Sequence, residues 1–308
     1  MSYELHGDEA LADAVRRICR DEIVKAIEIA DGSRHAEDTP VHETRKHLKK
    51  ARAVLRLVRK EIGRAMFRQQ DHRLRDAARL VSDVRDAEVR LETVRHLASI
   101  KPTRNRALYG RLEELLGLEL ESFLAAFAEW QSQIIPMLQQ ARDAIEEWPV
   151  HEFAGTQLIR AVQASYKRAR RQLAEARKDP APEVFHDFRA KTKVLSHQLR
   201  MVRPIKPVVL KKLHQELDAV TELLGRAHDL MFLGERLRQG NENTAWQRDR
   251  HKLVAVIEIS ENDLQRAAGD LAERFFAERP RDFGARLDTW FNEWTGKRAP
   301  SVAEALLT

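Results

Sequence analysis

Three observations predict an all-α fold made of two similar halves. Apolar residues recur with helical periodicity nearly throughout, and the best candidate strand, residues 254–259 (VAVIEI), is embedded in helical pattern on both sides. Only 12 Gly and 10 Pro serve 308 residues, too little turn chemistry for a many-stranded sheet. Residues 41–59 align without gaps with 185–203 at an offset of 144, pairing His42 with His186, Arg45 with Arg189, Lys49 with Lys193, Leu55 with Leu199, Arg56 with Arg200, Val58 with Val202 and Arg59 with Arg203. A second match, 80–94 with 223–237 at an offset of 143, pairs Asp86 with Asp229 and Arg85 with His228. The halves meet near Trp148-Pro149, which divides the chain into 1–150 and 151–308.

The elements follow in order. Asp8 is the expected cap of a helix to about Ala30, in which Leu11, Val15, Ile18, Ile23 and Ile27 recur at near-helical spacing before Gly32. Thr39 then caps a helix with Pro40 at its first position, running to about Ile62 and closed by Gly63. Helices are expected at 64–82 and 84–99, stopped by Lys101-Pro102, then at 104–131 and 133–147 with a kink at Pro136. The second half begins near Ala154 with helices at 154–178, 183–203, 208–239 and 243–278, each ended by a proline or by Gly240-Asn241. Trp290 and Trp294 fall at i,i+4 and read as packing of a terminal helix.

Charge is segregated along the chain. Residues 41–60 and 186–212 each carry eight Lys/Arg and one carboxylate, +7 apiece, so against a total of +6 the remainder is −8. Basic charge so concentrated points to a polyanionic partner. One cysteine, Cys19, excludes an intrachain disulfide and a thiolate metal site. The N-terminal residues show no basic segment followed by an apolar run, and no stretch is apolar for the roughly 18 residues of a membrane span, so the expected location is the cytoplasm.

On a helix, His42, Arg45, Lys49, Arg52, Arg56 and Arg59 form one stripe, stepping by 3, 4, 3, 4 and 3. Leu48, Ala51, Leu55, Val58 and Ile62 form a second stripe roughly 110° around the axis. The apolar stripe belongs in a core, which puts the basic one on a wall at the core's margin. The second copy repeats the layout, with His186, Arg189, Lys193, Arg200 and Arg203 beside Val184, Phe188, Leu195, Leu199 and Val202. Such a stripe is expected to cost stability when empty, through repulsion of a few tenths of a kcal/mol per like-charged pair, roughly.

Evenly spaced cations on two matched helices suit a chain of phosphates. Single-stranded nucleic acid asks for stacking aromatics among the cations, and the basic segments offer only Phe185 and the core-phased Phe188. Inorganic polyphosphate therefore fits the residue inventory better than RNA, with a duplex read through its backbone as the alternative.

The pattern His-x-x-Arg-x-x-x-Lys-x-x-Arg at 42–52, its return as His-x-x-Arg-x-x-x-Lys at 186–193, and the downstream Arg85-Asp86 and Gly225 to Asp229 elements resemble the CHAD domain, a conserved-histidine α-helical domain. The resemblance spans nearly the whole chain in the expected order. It implies two four-helix bundles related by a pseudo-twofold axis, with basic helices facing a central cavity or groove that binds inorganic polyphosphate. Carried over by position, the implied ligand residues are His42, Arg45, Lys49, Arg52 and Arg56, then His186, Arg189, Lys193 and Arg200. Ser196 and His197 stand where family members tend to have Arg and Tyr, so one cationic contact is missing from the second copy. The Glu-x-Glu-x-Lys motif of the triphosphatase domain often fused to this family is not found, which makes a stand-alone, non-catalytic binder the expectation, associated with polyphosphate granules if anywhere beyond the open cytoplasm.

The competing readings are a phosphohydrolase or phosphotransferase acting on that polymer, and a non-specific nucleic-acid backbone binder. His42 and His186 each have Arg at i+3 where a helical metal pair needs His or a carboxylate, so neither metal nor cofactor is expected. Asp86 and Asp229 belong to different halves and read as ion-pair partners of nearby Arg or His side chains. Arg160, Lys167, Arg168, Arg170 and Arg171, and the face Arg64, Arg68, His72, Arg75 and Arg79, are secondary extensions of the cationic surface.

Overall fold

The computed structural model describes residues 3–100, 106–239 and 247–296, and these contain helices and no strand. Those of the first half are α1 (Leu11–Ala30), α2 (Pro40–Leu55), α3 (Gly63–Leu80), α4 (Ser82–Ile100), α5 (Arg106–Ala126) and α6 (Trp130–Asp143). The second half has α7 (Gly155–Lys178), α8 (Pro182–Met201), α9 (Pro207–Arg238), α10 (Gln247–Phe275) and α11 (Pro280–Gly296), with a 3-10 turn at Arg203–Ile205. The order repeats, α1 matching α7 and α2 matching α8; α9 runs unbroken where the first half divides into α3 and α4. Among the described residues no helix is long and apolar enough to cross a membrane. The expected stretch at 101–105 and the turn at Gly240-Asn241 lie outside the described residues.

Local chemistry explains the ends that matter. Thr39 caps α2, its Oγ1 accepting from the His42 backbone N–H at 3.2 Å, and Pro40 occupies the first turn, where its missing N–H costs nothing. α8 likewise starts on Pro182. Asp8 does not cap α1: Ala10 holds that position without a side-chain bond. α2 stops at Leu55, seven residues before the expected end at Ile62, because Leu57, Val58 and Ile62 are drawn into the core by turns rather than by continued helix. Gly63, at φ +77°, opens α3 in the left-handed region that glycine alone adopts without strain.

α1, α2, α3 and α6 pack together in the first half, and α7, α8, the first part of α9 and α11 in the second, around one continuous core that crosses residue 150. Leu48, Ala51, Leu55, Val58 and Ile62 are all buried in it, as are Phe188, Leu195, Leu199 and Val202. Val184 is half-buried and packs against its edge. A smaller core lies where the α4–α5 pair meets α9 and α10, through Leu91, Val94, Leu112, Leu233 and Ile257. The halves therefore touch through α2 on α8 and α4 on α9, and the Gln198 amide donating to the Ala53 carbonyl at 3.0 Å ties the first contact. The N-terminal segment crosses the end of that seam: the Leu5 N–H donates to the Met201 carbonyl and the Tyr3 hydroxyl to the Lys50 carbonyl.

Candidate functional site: a cationic cavity between the halves

Because α2 faces α8 and α4 faces α9, four helices enclose a cavity of about 530 Å³. α2 contributes His42, Arg45, Lys46, Lys49 and Lys50, and α8 contributes His186, Arg189, Lys193, His197 and Arg200. α4 adds Arg85, Asp86 and Val89; α9 adds His214, Asp218, His228, Asp229 and Phe232. Eight Lys/Arg thus meet three carboxylates in a space lined also by five histidines. Val89 and Phe232 are 143 residues apart, so the apolar contribution to the walls follows the same repeat as Asp86 and Asp229.

The carried-over residues divide in two. His42, Arg45, Lys49, His186, Arg189, Lys193 and Arg200 line the cavity. Arg52 and Arg56 do not. Arg52 Nε donates to Asp71 Oδ1 on α3 at 2.9 Å, and Arg56 Nη2 stands 3.5 Å from the same oxygen. The α2 stripe, continuous as a helical projection, is split in space: its first three members enter the space between halves, and the others run beneath α3 toward Arg168 of α7. Arg59, beyond the end of α2, lies over the Phe67 ring at 4.9 Å.

Desolvation governs the electrostatics of the cavity. Burial and neighbouring Arg85 lower the pKa of His42, and burial with Arg189 and His186 lowers that of His228 to about 3, so its ring is neutral at physiological pH. Burial also lowers the pKa of Arg45 and Arg189, opposed by Asp86 and Asp229 respectively. The same two aspartates, raised by burial, are held down in part by those arginines. Asp86 and Asp229, which belong to different halves, thus stand in one cavity, each in the field of a repeat-equivalent arginine, though neither makes the expected ion pair within 4.0 Å among the described residues. Arg189 reaches in over Gly225, where an added Cβ would lie 3.4 Å from Nη2, and its buried Nε has no hydrogen-bond partner. Arg45 spends Nη1 on the Ala78 carbonyl at 2.5 Å, which fixes the arm of its guanidinium.

Ser196, read from the sequence as a missing cationic contact, is fully buried, with Oγ 3.1 Å from His214 Nδ1 and 3.4 Å from Asp218 Oδ1. His214, Lys46 and Lys50 carry no repeat signature: positions 190 and 194, matching Lys46 and Lys50, are Ala and Val. The i,i+4 relation of Lys46 to His42 and Lys50 on one helix could have suggested the two lysines; it says nothing of His214 on α9. His197 is buried beside the Tyr3 ring at 6.3 Å, its pKa driven down by burial and then by Lys193 and Lys50.

Comparison with known proteins places these features. The CHAD domain model matches residues 17–238 and 160–308, two overlapping segments that start 143 residues apart, the offset that relates Asp86 to Asp229. The crystal structure of the CHAD domain from the plant Ricinus communis is similar at a TM-score of 0.57 and 18% identity, over 95% of this chain and 94% of that one. No curated protein matches. Matched along nearly its full length by the family's sequence pattern and sharing the fold of a member's crystal structure, this chain belongs to the CHAD domain family.

Proposed function

We propose that the protein binds inorganic polyphosphate in the cavity between its halves, as a non-catalytic binder. The observation that carries this reading is the convergence of Arg45, Lys49, Arg189, Lys193 and Arg200 from two helices of different halves on one space, with Arg189 Nε and the Lys49 amine lacking hydrogen-bond partners among the described residues. Lys193 is held by Asp218, but Arg45, Lys49, Arg189 and Arg200 make no salt bridge among the described residues and are free to take ligand oxygens, and each one neutralised by phosphate releases counterions. A duplex, whose major groove alone is about 12 Å wide, is too large for a cavity of about 530 Å³. Phe232, the aromatic among the cavity residues apart from histidine rings, already packs edge-on to His228 at 4.6 Å and offers a base little face to stack on.

The test is a side-by-side titration with polyphosphate, single-stranded RNA and duplex DNA, with orthophosphate release followed in the presence of Mg²⁺. Tight binding of polyphosphate alone, without release, is the expected result. Equal affinity for DNA overturns the choice of ligand. Release of orthophosphate overturns the non-catalytic reading and turns attention to Asp86 and Asp229, the repeat-related carboxylates of the cavity.

A further inference from the structure

The two halves differ where an outer helix packs beside the α4–α9 contact. On the α5 side, Arg90 of α4 and Arg236 of α9 both reach Glu119 of α5, Arg90 Nη2 standing 2.5 Å from Oε1 and Arg236 Nε 2.9 Å from Oε2. The repeat exchanges α4 with the later part of α9, and at its offset of 143 the position of Arg236 is Thr93 and that of Arg90 is Leu233. On the α10 side neither arginine therefore has a counterpart. Thr93 donates its hydroxyl to the Val89 carbonyl of its own helix at 2.7 Å and fills little of the space that an arginine would take.

What lies there is a second cavity, of about 490 Å³, between α4, α9 and α10. Its walls are largely aliphatic: Leu97 and Ile100 from α4, Leu230 from α9, Val256 and Leu264 from α10. Three carboxylates stand among them, Glu92, Asp229 and Asp263, against one guanidinium, that of exposed Arg226, whose Nη2 is 3.3 Å from His96 Nε2. Glu92 is held by Arg85 at 3.2 Å and Asp263 by Arg266 at 3.1 Å. Half-buried Asp229 has no hydrogen bond and no ion pair within 4.0 Å among the described residues. Aliphatic walls, a carboxylate without a partner and the place of an absent arginine together ask for a cation on an aliphatic stem.

We propose that this second cavity binds a small alkylguanidinium ligand, in the place whose repeat equivalent Arg236 occupies. The stem lies along Leu97, Leu230, Val256 and Leu264, and the guanidinium takes the Asp229 carboxylate with two parallel N–H donors. Glu92 and Asp263 add a negative field that excludes an anion carried on the same stem. Asp229 also lines the cationic cavity, so an occupied site adds positive charge beside it. That occupancy therefore strengthens polyphosphate binding, and polyphosphate that of the guanidinium, is a consequence that rests on the function proposed above.

Methyl NMR of the full chain, titrated with butylguanidinium in the absence of polyphosphate, tests the site. The methyl signals of Leu97, Leu230, Val256 and Leu264 should shift together, with a dissociation constant of about 1 mM or tighter. Pentanoate, which carries the opposite charge on a similar stem, and guanidinium, which has no stem, should bind at least about fivefold more weakly, and Asp229→Asn should weaken butylguanidinium by a similar factor. Thr93→Arg, which supplies the absent side chain, should abolish the shifts and raise the thermal midpoint of the unliganded chain. Should that variant fail to fold, Val256→Arg, at a half-buried position of the same wall, blocks the cavity instead. Shifts scattered over the surface, equal binding of pentanoate, or undiminished binding in both Asp229→Asn and the blocked variant overturns the proposal. Because polyphosphate takes no part in the titration, failure here leaves the proposed function standing, and failure of polyphosphate to bind leaves this site standing.

Discussion

Arg52 Nε and Nη2 reach the two carboxylate oxygens of Asp71, at 2.9 and 3.3 Å, across the α2–α3 contact. The pair holds the lower part of the α2 stripe against its own half. Asp71 stays ionised: burial raises its pKa, but Arg52 and Arg56 outweigh that and lower it. Removing positive charge from this part of the stripe does not simply relieve repulsion, as the helical projection suggested.

Arg52→Gln or Asp71→Asn should destabilise the fold by about 1–3 kcal/mol, since each leaves a part-buried charge without its partner. Arg45→Gln with Arg189→Gln should move the thermal midpoint less, because each change relieves repulsion with Lys49 while withdrawing a guanidinium from Asp86 or Asp229. Paired thermal melts without anion check the contrast.

Affinity should divide the other way. Arg189→Gln should weaken polyphosphate binding at least tenfold, about 1.4 kcal/mol, with Arg45→Gln close behind, while Arg52→Gln changes it by less than about threefold. With eight Lys/Arg and three carboxylates around the cavity, the slope of log affinity against log salt should fall between about −3 and −6. A nearly flat slope in the wild type would remove the cavity as the binding site.

Polyphosphate affinity should rise as pH falls from about 8 to 6. Lys49 loses its proton near pH 7 in the free protein, and a bound polyanion favours the ammonium, so binding takes up a proton over that window. Calorimetry in buffers of different ionisation enthalpy measures the uptake, and Lys49→Arg should flatten the pH dependence.

Glu22 makes a separate prediction about stability. It is fully buried, with Lys25 Nζ at 2.6 Å, His47 Nδ1 at 2.7 Å and Lys50 Nζ at 3.4 Å. Burial alone would raise its pKa, but His47, Lys50 and Lys25 overcome that and bring it to about 2. The native state thus releases a proton that the unfolded chain binds below about pH 4.3. Its stabilisation is present above that pH and is lost as pH falls toward 2. Glu22→Gln should cost about 3–5 kcal/mol at neutral pH by stranding buried cations, and should flatten the acid limb of a stability curve.

Read alone, the sequence determined the helical class, the repeat, the Thr39-Pro40 start of α2 and the apolar stripe that goes into the core, because a helix's own period and caps set which residues share a face. It placed seven of the nine carried-over residues where the cavity is. Periodicity gives a residue's angle about its own axis and nothing about what stands opposite. Only the docking of one half on the other decided that Lys49 faces Arg189, that Asp86 and Asp229 share one space, and that His214 joins them. Only packing decided that α2 ends at Leu55, since Leu57, Val58 and Ile62 gain more by turning into the core than by prolonging a helix that no proline or glycine interrupts before Gly63. The fate of Arg52 and Arg56 followed from packing within the first half: a carboxylate 19 residues from Arg52, on the neighbouring helix, was near enough to claim them.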